Sequence, residues 1–302
     1  MNPVVSIMDI FWNKFVKKQD DDRIKTLVVP DGIREVCDIP YLNDGNRYHL
    51  LDVYYPEGAD KNTPVIIDIH GGGWMYGDKE LNKIYCLYLA KRGFTVFNIS
   101  YRLFPSVNVG EQLQDCAYAL RWISEHMNDF PCDGKNIMLT GDSAGGMLAV
   151  YSAALMTNAE LRDIFDTVDP KMKLTMLTLT SPVAYMNENS PMGFYTRMLW
   201  GKTWKSQRTV NYMNLDEIID MAVFPPTVMV TSSGDSLALS YTRKAAEEFR
   251  KRNIPVKLID FDRFEGEDLP HVFAVLLPES KAGKLCINNY IKYYRDLIDL
   301  DK

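Results

Sequence analysis

Apolar strand-like runs alternate with helical stretches through most of this chain, and that rhythm leaves few ways to fold. "YHLLDVYYP" and "PVIIDIHGGG" read as strands, followed by a helix near Leu81 to Arg92 and the strand "FTVFNISYR". A helix from Gln112 to His126, the strand "NIMLTGDS", a helix beginning near Ala144 and the strand "LTMLTLTSP" come next. The last part reads as strand "PPTVMVTSSGD", a helix to about Arg252 that Asn253 and Pro255 stop, strand "VKLIDFDRF" and a terminal helix after Pro278. Strands this uniformly apolar are covered on both faces, so the pattern predicts an α/β fold with a mostly parallel central sheet between helices. Open sheets of that kind carry their sites at the carboxyl ends of the strands.

Two segments fall outside the alternation. Residues 3 to 16 place Val4, Met8, Phe11 and Phe15 at helical spacing, with Asn2 and Pro3 as N-cap and first helical residue, which predicts a short amphipathic helix. The charged "KKQDDDR" after it reads as a solvated link. Tyr185 to Ala222 holds Met186, Met192, Phe194, Tyr195, Met198, Leu199, Trp200 and Trp204 with few strand signals, and reads as an insertion.

Composition narrows the function classes. Lys and Arg number 34 against 40 Asp and Glu, a net charge of -6, which argues against a nucleic-acid partner because phosphate binding needs a basic field. The five cysteines, Cys37, Cys86, Cys116, Cys132 and Cys286, contain no CxxC pair and read as small buried apolar residues rather than disulfides or a zinc site. Asp9 interrupts the apolar start and no positive cluster precedes it, which speaks against a signal peptide, and no apolar run approaches the roughly 18 to 20 residues of a membrane span. The expectation is a cytoplasmic protein without stable membrane insertion; homo-oligomerisation stays open.

The chemistry concentrates in "KNIMLTGDSAGGMLAVYSAAL", where Gly141, Asp142, Ser143, Ala144 and Gly145 form GxSxG between a strand and a helix. A serine hydroxyl is a poor nucleophile unless a sharp turn exposes its Oγ to an adjacent base, and glycines let the chain pass closely there. A serine N-cap in a tight turn is the plainer alternative. Of His49, His70, His126 and His271, only His271 lies beyond Ser143, in the loop-like "EGEDLPHVF", as the order serine, acid, histidine requires. Between them stand Asp163, Asp166, Asp169, Asp216, Asp220, Asp235, Asp260, Asp262 and Asp268. Asp235 alone follows an apolar strand's end directly, in "TVMVTSSGDSL", although it also suits a helix N-cap.

Ester hydrolysis builds negative charge on a carbonyl oxygen, and each well-placed N–H donor contributes about 10²- to 10³-fold in rate. "HGGGW", His70 to Trp74, follows a strand with consecutive glycines, so the amides of Gly72 and Gly73, joined by that of Ala144, are the expected oxyanion donors. A phosphate-cradling loop is the rival, but no Lys-Ser/Thr follows and Trp74 would crowd a nucleotide. His70 is expected to brace the loop. Trp74 and Tyr76 are candidates to line the pocket, with Tyr101 supporting it from a strand end.

The set "HGGGW", "YRLFP", "GDSAGG", Gly234 to Leu237 and "PHVF" resembles the hormone-sensitive-lipase-like branch of the α/β-hydrolase superfamily, from about Tyr48 to the end and in the right order. The resemblance implies Ser143, Asp235 and His271 as a catalytic triad, with Gly72, Gly73 and Ala144 as oxyanion donors. It implies a catalytic core of residues 29–184 and 223–302 and a small helical cap from 1–28 and 185–222. The sequence departs from the family at Phe104 and Ser106, often Ala and Glu, at Met147, often Asn, and at Ser236, usually Pro. By analogy Phe104 and Met147 border the acyl or cap side of the pocket.

The expected activity is that of a serine carboxylic-ester hydrolase on short-chain acyl esters, an acetyl ester included, working through an acyl-enzyme without cofactor or metal. Amide or peptide hydrolysis on the same groups, and a catalytically silent ligand-binding protein of this fold, are the alternatives.

Overall fold

A computed structural model describes residues 3–186, 197–200 and 208–300. Strands β1 (Ile33–Pro40), β2 (Leu50–Pro56), β3 (Val65–Ile69), β4 (Thr95–Ile99), β5 (Ile137–Asp142), β6 (Met176–Thr180), β7 (Thr227–Ser232) and β8 (Val256–Phe261) form one 8-stranded sheet in the order β1-β2-β4-β3-β5-β6-β7-β8. β1 and β2 run antiparallel to their neighbours, and all pairings from β4 to β8 are parallel. The mostly parallel sheet expected from the alternation is therefore present. Every residue of β3 to β7 is buried, because helices cover both faces.

The pleat divides the core by its period of two. In β3, Val65, Ile67 and Ile69 join the cluster under α4 (Val109–His126) and α5 (Ser143–Thr157), which includes Leu113, Leu120 and Leu148. Ile66, on the opposite side, joins the cluster under α3 (Lys83–Lys91) and α7 (Lys281–Leu300), with Leu87, Ile287 and Tyr290. α6 (Leu239–Lys251) adds Ala245, Ala246 and Phe249 to the first cluster. α4 starts at Val109 rather than Gln112 because Asn108 caps it: its Oδ1 accepts from the Glu111 amide at 3.1 Å, and Glu111 Oε2 accepts from the Asn108 amide at 2.8 Å.

Three expectations need correction. Cys37 is exposed, on edge strand β1, whereas the other cysteines are buried and all are free. "KKQDDDR" is helical rather than a link, forming most of α2 (Lys17–Ile24). α1 (Pro3–Ile10) runs through a π-helical stretch, Phe11–Val16, into α2, and it packs on a different side from the one the spacing suggested. Val5 is buried and Met8 and Trp12 lie against the core, while Phe11 and Phe15 are exposed. Asn2, the expected N-cap, lies outside the described residues, as do 187–196 and 201–207 of the expected insertion, Trp204 among them.

Backbones approach one another closely where α5 leaves β5. A methyl group added at Gly145 would enter the carbonyls of Ile69 and His70, and one at Gly141 would enter the Gly145 carbonyl. Gly145→Ala should therefore lower unfolding free energy by about 2–3 kcal/mol, the cost of overpacking a rigid core, as read from chemical denaturation. An unchanged midpoint would mean that the helix can slide.

Candidate active site

The turn from β5 into α5 places Asp142 in extended backbone and Ser143 at φ 51°, a left-handed conformation that costs a non-glycine residue about 1–2 kcal/mol. Such strain survives only where packing over-determines it, which the contacts of Gly141, Gly145 and Gly146 accomplish. The serine is not openly exposed: its relative exposure is 8%. The turn instead aims its Oγ at the ring of His271, 2.9 Å from Nε2.

His271 sits in the loop between β8 and α7, and the next residue, Val272, is forced to φ 54°. That is an uncommon backbone for a β-branched side chain. The His271 Nδ1 lies 2.9 Å from Asp235 Oδ1, just past β7. Because the carboxylate can only accept, Nδ1 carries the proton and Nε2 turns a lone pair to the serine. The same Oδ1 accepts from the amides of Leu237 at 3.1 Å and Ala238 at 2.8 Å. Burial opposes the ionisation of Asp235, but the hydrogen bond and charge of His271 and the Ala238 amide overcome it and hold its pKa below the usual value. A methyl at Gly234 would strike the Leu269 carbonyl, so glycine is what lets the acid-bearing and histidine-bearing loops touch. Ser232 reinforces the contact, its hydroxyl donating to the same carbonyl at 2.6 Å. Asp262 and Asp268 are exposed, and Asp260 pairs with Arg243 at 2.7 Å, so of the weighed acids Asp235 is the one bonded to the imidazole.

Beyond β3 the glycine loop turns sharply, with Gly72 at φ 104°, Gly73 at φ 59° and Trp74 at φ 63°. The amides of Met75 and Tyr76 donate to the Gly72 carbonyl at 3.1 and 3.0 Å. His70 is buried, donates from Nδ1 to the Gly71 carbonyl at 2.7 Å, and is kept neutral by burial, which lowers its pKa to about 4. Tyr101 stacks on it at 4.4 Å and donates to the carbonyls of His70 at 2.8 Å and Gly71 at 3.2 Å. Both side chains lie beneath the loop and brace it. The Trp74 carbonyl accepts from the Phe104 amide and from Gln112 Nε2, each at 2.9 Å, which ties the loop to the half-buried Phe104. Met147 is fully buried within α5, and Ala144 lies in the first turn of that helix, where amides and dipole favour negative charge.

Three residues outside the motifs, Trp12, Asn82 and Asp68, complete the surroundings. Trp12 lies so close to Gly73 that a methyl there would enter its indole, and it stacks on Tyr76 at 6.4 Å. Asn82 and Asp142 form a bridge: Asn82 Nδ2 donates to Asp68 Oδ2 at 2.9 Å and to Asp142 Oδ1 at 2.8 Å, and the same Oδ1 accepts from the Gly71 amide at 3.0 Å. The residue before the serine thus anchors the glycine loop. No local pattern announces such a bridge, since its members meet only across β3, β5 and the start of α3.

Burial raises the Asp142 pKa to about 6, against the Asn82 hydrogen bond and the charge of His271. Burial, then the nearby charge of Asp142, raises that of Asp68 to about 8. A carboxyl with a folded-state pKa above its unfolded value, about 4, releases its proton on unfolding between the two, so stability falls as pH rises through that interval. For Asp68 the interval runs from about 4 to about 8. Asp68→Asn keeps an acceptor for Asn82 and should flatten the decline of Tm over this range; an unaltered slope would show that Asp68 is ionised throughout.

Comparison with known proteins agrees with this architecture. The family model described as BD-FAE matches residues 51–177. The chain is 27% identical over 265 residues to versiconal hemiacetal acetate esterase of Dothistroma septosporum, covering 82% of this chain and 77% of that protein. It is 31% identical over 115 residues to a probable isoprenylcysteine alpha-carbonyl methylesterase of Arabidopsis thaliana, a match spanning 38% of this chain but only 27% of the relative. Esterase B from Lactobacillus rhamnosis, inhibited with a C4-C4 SN3 tributyrin phosphonate, superposes with a TM-score of 0.93 at 27% identity, covering 100% of this chain and 97% of that one. A bacterial heroin esterase, 22% identical with a TM-score of 0.70 over 93% of this chain and 90% of its own, shares the fold.

Proposed function

We propose that the chain, which is similar to α/β-hydrolase esterases, is a serine carboxylic-ester hydrolase of that family acting on short-chain acyl esters through an acyl-enzyme. The observation that carries this reading is the continuous contact from Asp235 through His271 to Ser143, with both steps at 2.9 Å. His271 Nε2 takes the serine proton as Oγ attacks the ester carbonyl, and Asp235, kept ionised, stabilises the imidazolium. The amides of Gly72, Gly73 and Ala144 receive the charge that develops on the carbonyl oxygen. Collapse of the tetrahedral intermediate breaks the bond to the alcohol, which takes the proton from His271 and leaves the acyl group on Ser143. Water, deprotonated by the same nitrogen, then releases the acid. No step calls on a cofactor or metal.

Two observations favour a short acyl group. Trp74 in the glycine loop and Met147 in α5, the two residues proposed to border the acyl side, are buried, and two relatives are named with an acetate ester and a C4-C4 tributyrin phosphonate. Phe104 and Tyr76 complete the proposed wall, with Tyr101 behind it. The cap is assigned to the N-terminal helices and to the described residues of the 185–222 segment, 185–186, 197–200 and 208–222. Among the described residues no helix is long and apolar enough to cross a membrane, and a cytoplasmic location remains the reading of the sequence. A series of p-nitrophenyl esters from acetate to decanoate should give the highest kcat/KM at acetate or butyrate, with a drop of about tenfold or more at decanoate. A maximum at the long end would overturn the short-chain assignment while leaving the mechanism in place.

A further inference from the structure

Large apolar side chains left in water singly need no explanation, but several on one short stretch of helix do. Ile7 is 65% exposed, Ile10 47%, Phe11 47% and Phe15 63%, all within residues 7–15. The opposite side of the same segment carries Val5, Met8 and Trp12, which pack on the core and over the glycine loop. The segment therefore has two apolar sides, of which the core covers one.

We propose that the outer side docks reversibly on a lipid–water interface with anionic headgroups. Two features favour that occupant over another protein. Stable protein interfaces engage about twenty to thirty residues a side, far more than this short face offers, whereas an amphipathic helix enters the headgroup boundary through just such a strip. The charges bordering the strip are also unevenly neutralised. Asp21 pairs with Lys17 at 3.1 Å, Asp20 with Arg23 at 3.0 Å and Asp22 with Lys25 at 3.2 Å. Lys14 and Lys18, three residues beyond Phe11 and Phe15, are exposed with no ion-pair partner among the described residues, although the chain's net charge is -6. They are placed to meet lipid phosphates.

Docking would bring the site to the surface with it. Arg23 donates to the Leu276 carbonyl at 2.9 Å, a few residues past His271, and Trp12 rests on Gly73, so the helix is held to both sides of the candidate site. Resting on the esterase reading, this implies substrates whose short acyl group is carried on an apolar alcohol that partitions into lipid.

The test is sedimentation of the full chain with vesicles of phosphatidylcholine, with and without phosphatidylglycerol. Wild type should sediment with the mixed vesicles. Ile7→Ser/Phe15→Ser should lower that partition at least about tenfold, and Lys14→Gln/Lys18→Gln should lower it several-fold with little effect on neutral vesicles. Tm and turnover of soluble p-nitrophenyl acetate should not change. Wild type remaining in the supernatant, or equal partition of the serine variant, would overturn the proposal. So would conversion of a dimer to a monomer by the serine substitutions, which would give the face to a second copy. Absence of p-nitrophenyl acetate turnover in wild type would instead refute the esterase reading and leave vesicle binding to be judged by itself.

Discussion

Ser143→Ala is expected to lower kcat/KM for p-nitrophenyl acetate by about 10⁴-fold or more, to the residue of rate that binding and amide donors sustain alone. The loss should be that large because, in the proposed mechanism, the hydroxyl is the atom that forms the acyl bond. No neighbouring group can replace it: the next side chains are Asp142, whose carboxylate is held by Gly71 and Asn82, and Ala144. Alanine deletes one oxygen from a site already packed by glycines, so Tm should stay within a degree or two, about the effect of 0.5 kcal/mol. A fluorophosphonate should label wild type on Ser143 and leave the variant unlabelled. Normal turnover in a folded Ser143→Ala protein would mean that another nucleophile does the chemistry.

Asp235→Asn is expected to cost about 10³- to 10⁴-fold in kcat with a much smaller change in KM. An amide oxygen at that position can still accept from the Leu237 and Ala238 amides, so the loop should survive. What disappears is the negative charge that, in the proposed mechanism, favours the protonated imidazole during attack. The partition between kcat and KM therefore distinguishes an electrostatic role from a structural one. Retention of most activity would move the acid's task to Asp262 or Asp268, both exposed in the folded chain, and would require the histidine loop to rearrange.

The part of the fold legible in the residues is the part set by near neighbours. A continuous apolar run such as "PVIIDI" has one outcome in a chain of this kind, a strand covered on both faces, and β3 is buried at every position. The N-terminal helix was legible as a helix but not in its orientation. Apolar residues occur on both of its sides, and spacing alone cannot say which side meets a core. The π-helical stretch at Phe11–Val16 also turns the later residues away from a simple 3.6-residue repeat.

The same division holds at the candidate site. The glycines, the serine and the strand-end aspartate and histidine could be read as a set because each obeys a local rule about strand ends and turns. Asn82 could not, because its importance comes from standing between two carboxylates brought together by the register of β3 and β5, where Asp68 faces Thr140 and Ile69 faces Gly141.

The amino-acid order by itself determined that this chain would build a wound parallel sheet with a glycine-flanked serine at a strand end. Backbone sterics and hydrophobic periodicity act over a few residues, and their demands are written where they operate. Only the tertiary structure decided that Trp12 would roof the glycine loop, that Asp142 would anchor it and that one side of the first helix would remain in water. Those outcomes depend on which distant surfaces come to share space, and contact energies between remote segments are set by three-dimensional packing rather than by neighbours in the chain.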